Sequence, residues 1–193
     1  MLDEKQVFQD WLSSISFSHF ITVEPNFTAQ FSNDEILQRF RSLEFRLNKH
    51  FLKSRFPKWD PFDRFFMVAF AEGDGVSKRK HFHLLLHSPR NANLQQKQFR
   101  KGSVSEFLYF EWFRDPSLIY SFQRRHVEPL HIKALSPTYG NHSSSKAASI
   151  YTSKTLSNRR KWSLKDENIS WWGFTTPSND KPFAKALLQL QLA

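Results

Sequence analysis

The sequence predicts an α+β fold, in which helices lie on one face of a single antiparallel sheet, and three observations carry that expectation. The first is the order of periodicities: β-rich run, helical run, two apolar runs, helical run, β-rich run, helical run. The second is the segment between the two apolar runs, "GDGVSKRK" (73–80), whose glycines and charges suit an exposed hairpin loop. The third is the lack of any repeat, low-complexity tract or obvious linker in 193 residues, a length that one domain fills. The chain is read as one domain, 1–193, with 168–193 as a candidate C-terminal extension.

Taken in order, an N-terminal helix is expected first. "FSHFITVEPNF" (17–27) is β-rich, closes on Pro25 and reads as a buried strand. "SNDEILQRFRSLEFRLNKHFLKSRF" (32–56) reads as a helix: Ser32 and Glu35 make a capping-box pattern, and Ile36, Phe40, Leu43, Leu47 and Phe51 recur at helical spacing. "RFFMVAFAE" (64–72) and "HFHLLLH" (81–87) are expected to pair antiparallel. "SVSEFLYFEWFRD" (103–115) reads as a helix and "RHVEPLHIKAL" (125–135) as a further strand. "SSSKAASIYTSKTLSN" (143–158) opens with residues fit to cap a helix and continues with small, helix-tolerant ones. The tail, "ISWWGFTTPSNDKPFAKALLQLQLA", is aromatic and then reads as helical.

Composition narrows the chemistry. Twenty-one phenylalanines and six tryptophans are either core or platforms for stacked bases. With no cysteine, disulfides and thiolate metal sites are excluded, so a metal must be held by His, carboxylate, carbonyl or water. The acidic N-terminal segment has no long apolar core and no stretch approaches a membrane span, so a cytoplasmic protein without a membrane partner is expected. Residues 1–60 carry eight basic and eight acidic side chains, so the whole +10 excess lies after residue 60. Its clusters, Lys78-Arg79-Lys80, Arg100-Lys101, Arg124-Arg125 and Arg159-Arg160-Lys161, are either solvated surface or a face that draws in phosphates. Four of them around one candidate site point to nucleic acid.

That site begins with His81 and His83. Side chains alternate across a strand, so the two imidazoles share a face while Phe82, Leu84 and Leu86 fill the core on the other. Their α-carbons should lie roughly 6.5 Å apart, close enough for both rings to meet one ion. Glu72 ends the partner strand of the same hairpin and can lie beside His81. Two imidazoles and a carboxylate with open positions suit Mn²⁺ or Mg²⁺, the shell being completed by water and phosphate oxygens. Structural readings stand beside these: a strand-borne histidine pair and a solvated strand-end glutamate. His87, His126, His131 and His142 have no spacing that singles them out.

A metal beside basic surface points to phosphoryl transfer, which needs a nucleophile. Of four tyrosines, Tyr151 lies in the small-residue helix with Lys154 three positions on, on the same helix face. An ammonium there can favour phenolate and neutralise a scissile phosphate. The bland alternative is a tyrosine packed on the sheet and an unrelated surface lysine.

In this order, "FITVEPN" (20–26), "HFHLLL" (81–86) and "IYTSK" (150–154) resemble the three motifs of HUH endonucleases of the replication-initiator type, over residues 17–158. The resemblance implies a ferredoxin-like central antiparallel sheet, an ion held by Glu72, His81 and His83, and Tyr151 as nucleophile assisted by Lys154. It further implies a metal-dependent, sequence-selective nick in single-stranded DNA or an origin hairpin, leaving a 5′-phosphotyrosine and a 3′ hydroxyl that primes rolling-circle replication of a plasmid or virus. Val23-Glu24-Pro25 departs from the plainer first motif. One tyrosine at the third motif excludes a two-tyrosine relay within that helix, and no Gly-x-x-x-x-Gly-Lys-Ser/Thr loop is present, so unwinding falls to a host helicase.

Three rivals remain open. A single-strand insertion-sequence transposase of the same superfamily carries a similar histidine strand. A metal-binding barrel of cupin type shares the spacing of Gly75, His81 and His83 but lacks its downstream glutamate. A non-catalytic single-strand-binding module would use exposed rings, with Trp171, Trp172 and Phe174 as candidates.

Overall fold

A five-stranded antiparallel sheet organises the protein. The computed structural model describes residues 4–24, 33–53, 56, 61–72, 81–89, 102–114, 130–135 and 169–172. In chain order they form α1 (Glu4–Ser14), β1 (Phe17–Val23), α2 (Asn33–Leu52), a 3-10 turn (Pro61–Asp63), β2 (Phe66–Glu72), β3 (His81–His87), α3 (Val104–Arg114), β4 (Leu130–Ala134) and β5 (Ile169–Trp172). The strands lie in the order β4-β1-β3-β2-β5, and every neighbouring pair is antiparallel. The strand with the two histidines is therefore the middle one, flanked by β1 and by its hairpin partner β2.

α2 forms where the helical spacing places it. Ile36, Phe40, Leu43, Leu47 and Phe51 are all buried and face the sheet. The helix stops at Lys53, whose φ of 69° is left-handed and whose N–H donates to the Lys49 carbonyl at 3.2 Å, a cap that satisfies one orphan carbonyl. Ser32, the start of the expected capping box, lies outside the described residues. α3 carries such a box at its own start: Ser103 Oγ accepts from Glu106 N–H at 3.1 Å, and Glu106 Oε2 accepts from Ser103 N–H at 2.9 Å. Gly102 precedes it with φ 88°, a conformation that a side chain rarely adopts. Val104, Leu108 and Trp112 repeat every four residues and bury the same face of α3.

Both faces of the sheet are covered, which corrects the expectation of helices on one face alone. α2 and α3 pack with Ile21, Val23, Met67, Ala69, Phe82, Leu84 and Leu86 on one side. α1 packs on the other, setting Trp11, Leu12 and Ile15 against Phe17, Phe66, Val68, Phe70 and Leu85. The physical reason is in β2, which is apolar at odd and even positions from Phe66 to Ala71, and a strand with two apolar faces must bury both. A register shift between Phe17 and His19 lets Phe17 join the α1 side although Ile21 and Val23 face α2.

Two polar side chains of α2 fasten it to the start of β2. Asn48 accepts from Phe65 N–H and donates to Phe65 O, both at 2.9 Å, and Glu44 Oε2 accepts from Met67 N–H at 3.2 Å. Asn48 Nδ2 also donates to the Glu44 carbonyl at 3.0 Å. Burial pushes the Glu44 carboxyl up to about 8, opposed by the Met67 hydrogen bond and the charges of Arg64 and Arg41. Arg46 joins the two helices of this layer, its Nε 2.6 Å from Glu111 Oε2.

In the aromatic start of the tail, Ile169–Trp172 is a strand, paired with β2 from Phe70 opposite Ile169 to Met67 opposite Trp172, while the part expected to be helical lies outside the described residues. The expected helix over 143–158 lies outside the described residues. Core is the answer for most described phenylalanines; Phe45 and Phe110 are the exposed large ones. Among the described residues no helix is long and apolar enough to cross a membrane.

Candidate metal-binding site on the central strand

The hairpin register builds the site. β3 alternates as the sequence predicts: Phe82, Leu84 and Leu86 enter the α2–α3 core, while His81, His83, Leu85 and His87 take the other face. Among the described residues of that face, exposure rises toward the His81 end. Leu85 and His87 are fully buried beneath α1 and the 3-10 turn, His83 is 5 % exposed, and His81 is half-buried at the strand's start. The site is thus a rim at one end of β3, with His81 outermost.

The two imidazoles meet there. Their ring centroids are 4.9 Å apart with the planes at 85°, edge to face. His83 is held on two further sides: the Phe20 ring stacks on it at 5.1 Å and 24°, and its Nδ1 lies 3.1 Å from Thr22 Oγ1. Phe20 and Thr22 reach it because β1 pairs with β3, Thr22 standing opposite His83 and Phe20 opposite Leu85. On the other flank Glu72 stands directly opposite His81 in the β2–β3 register, as expected from the hairpin; its side chain lies outside what is described. Among the described residues no group of three or more His, Asp or Glu side chains converges to hold a metal. The described donor set is the histidine pair, and the register sets the backbone of Glu72 opposite His81. Imidazole nitrogens with a neighbouring carboxylate fit a first-row divalent ion that keeps open positions.

His87 does not belong among the candidate ligands. Its Nδ1 lies 3.1 Å from the Ser16 carbonyl and its Nε2 3.2 Å from the Phe62 carbonyl, while Phe66 stacks on the ring at 4.6 Å. Carbonyls only accept, so a neutral ring serves one of them at a time and the imidazolium serves both. His87 ties the α1–β1 junction and the 3-10 turn to the centre of the sheet. His131 is exposed on β4, opposite Thr22 and one strand further from His83. Burial holds His19 down at about 4, so this ring stays neutral near pH 7.

Tyr151 and Lys154 lie outside the described residues, as do Lys78, Arg79, Lys80, Arg124, Arg125, Arg159, Arg160, Lys161, His126 and His142. Thr22 is the site residue that reading the sequence for ligands passed over. The available signal was a hydroxyl amid the apolar run "FITV", in a strand that reads as buried.

No family model, no curated protein and no solved structure matches the chain.

Proposed function

We propose that the protein is a metal-dependent, sequence-selective endonuclease and strand transferase for single-stranded DNA, an HUH enzyme of the replication-initiator type. One observation carries the reading: His81, part-exposed at the start of the middle strand, sits ring to ring with the buried His83, and Glu72 is in register beside His81. The wider frame is compatible. β1-α2-β2-β3-α3-β4 with strand order β4-β1-β3-β2 supports the reading of a ferredoxin-like split β-α-β unit, to which β5 would add an edge. The basic excess after residue 60 suits a phosphate backbone as partner.

His81, His83 and Glu72 would hold Mn²⁺ or Mg²⁺, which when bound polarises the scissile phosphate and stabilises the charge that develops on it. Tyr151 Oη attacks the phosphorus and a bond forms between them. The bond from phosphorus to the 3′ oxygen breaks, and a proton passes to that oxygen to give a free 3′ hydroxyl. The 5′ phosphate stays on the tyrosine, so the bond energy is kept for rejoining. Lys154 neutralises phosphate charge and favours the phenolate. The clusters Lys78-Arg79-Lys80, Arg124-Arg125 and Arg159-Arg160-Lys161 bind the strand or origin hairpin, and a host helicase opens the duplex.

The test is incubation with a labelled pool of single-stranded DNA hairpins and Mn²⁺. A protein-linked fragment should form, should map to Tyr151, and should be absent with Tyr151→Phe or without metal. Tight, salt-sensitive binding with no covalent product under any metal would replace the enzyme by a single-strand-binding module. Cutting that persists unchanged in Tyr151→Phe would refute the nucleophile.

A further inference from the structure

Thr22 has no assigned part in the chemistry proposed above, yet its hydroxyl is the group set against a ring nitrogen of the more buried histidine. Three constraints act on that imidazole together. Burial to 5 % exposure keeps the ring from turning out to water. Phe20, stacked at 5.1 Å and 24°, fixes the plane of the ring. Thr22 Oγ1, 3.1 Å from Nδ1, engages one named nitrogen. Thr22 is also β-branched and sits on a paired strand between β3 and β4, so its χ1 is stiff and the hydroxyl is held in place.

A neutral imidazole donates from one nitrogen and accepts at the other, and the bond made at one nitrogen decides what the other can do. With Nδ1 engaged by Thr22, an ion can be bound only through Nε2. That requires the proton on Nδ1 and the hydroxyl as acceptor. We infer that Thr22 is a positioning residue that holds His83 in the Nδ1–H tautomer, leaving the Nε2 lone pair for an ion shared with His81. The inference rests on the metal reading of the histidine pair. It deepens that reading by giving β1 a defined role, in which the strand that carries the first motif orients the ligand carried by the second. Histidine ligands in metalloproteins commonly need such a partner on the other nitrogen, and losing it costs 10- to 100-fold in affinity.

The experiment uses the full chain with histidine labelled in ¹⁵N and free of metal, at a pH where imidazole is neutral, and measures Mn²⁺ affinity separately by titration calorimetry. Long-range ¹H–¹⁵N correlations report the tautomer of each ring. Wild type should show His83 with its proton on Nδ1. Thr22→Val, which keeps the shape and deletes the hydroxyl, should move His83 toward the Nε2–H form and weaken Mn²⁺ binding 10- to 100-fold. Thr22→Ser should restore both, a rescue that a packing role alone would not give. Wild-type His83 protonated on Nε2 overturns the inference. So does wild-type Mn²⁺ affinity in Thr22→Val while His83→Ala has lost it. Mn²⁺ affinity unchanged in His83→Ala defeats instead the metal reading on which the inference rests, so the two failures are told apart.

Discussion

Replacing Glu44 by Gln should change how stability depends on pH, and the size of the change follows from the burial of its carboxyl. Glu44 takes its proton at about 8 in the folded protein, against 4.5 when exposed. Between those values the folded state binds more protons than the unfolded one, so stability falls as pH rises. At ~1.4 kcal/mol for each tenfold in proton affinity, the interval from 4.5 to about 8 corresponds to about 5 kcal/mol. His19 acts in the opposite sense: held at about 4 against 6.5, it makes stability fall as pH drops through that range, by about 3 kcal/mol in total. The two slopes nearly cancel between 4.5 and 6.5. Above 6.5 only Glu44 still acts, leaving a loss of about 2 kcal/mol by pH 8. Gln keeps the acceptor for Met67 N–H without an ionisable group. Urea unfolding at pH 5, 6.5 and 8 on both proteins gives the difference curve, in which contributions common to the two cancel. Wild type should lose stability relative to Glu44→Gln at each step up in pH. A flat difference curve would refute the claim that this carboxyl is protonated in the folded state near neutrality.

Other expectations follow from packing and caps. Leu12→Ala empties a fully buried position between α1 and the sheet and should cost 2–5 kcal/mol in chemical denaturation, a loss under 1 kcal/mol arguing that α1 does not cover that face. His87→Leu removes the ring donor set between the Ser16 and Phe62 carbonyls and should cost about 1–3 kcal/mol while Mn²⁺ affinity is unchanged; lost affinity would return His87 to the ligand set. Ser103→Ala removes the cap of α3 and should lower stability by about 1 kcal/mol, with the helix content from circular dichroism retained.

The parts of this fold set by local periodicity are legible in the sequence. Ile36, Phe40, Leu43, Leu47 and Phe51 recur at helical spacing, and all five are buried on α2. The alternation in "HFHLLLH" sorts the seven residues of β3 correctly, because the period of a strand is strictly two. The position of α1 is a matter of layers, which periodicity does not report. The unbroken apolar run of β2 did hold the clue, since a strand covered on one face alone should alternate with polar residues. β5 is four residues long, too short for a period to stand out in an aromatic tail. At the site, the pairing of His81 with His83 and the place of Glu72 follow from strand geometry and hairpin register. The roles of Thr22 and His87 depend on contacts 61, 71 and 25 residues away in the chain, which no local pattern encodes.

The central claim is that His81 and His83 bind one ion together, and pulsed electron paramagnetic resonance on the Mn²⁺-loaded protein tests it most directly. Two histidine nitrogens should couple to the bound ion, one coupling vanishing in His81→Ala and the other in His83→Ala, with Glu72→Ala weakening affinity but sparing both. Mn²⁺ bound with no histidine nitrogen coupled, or couplings that survive both substitutions, would contradict the account.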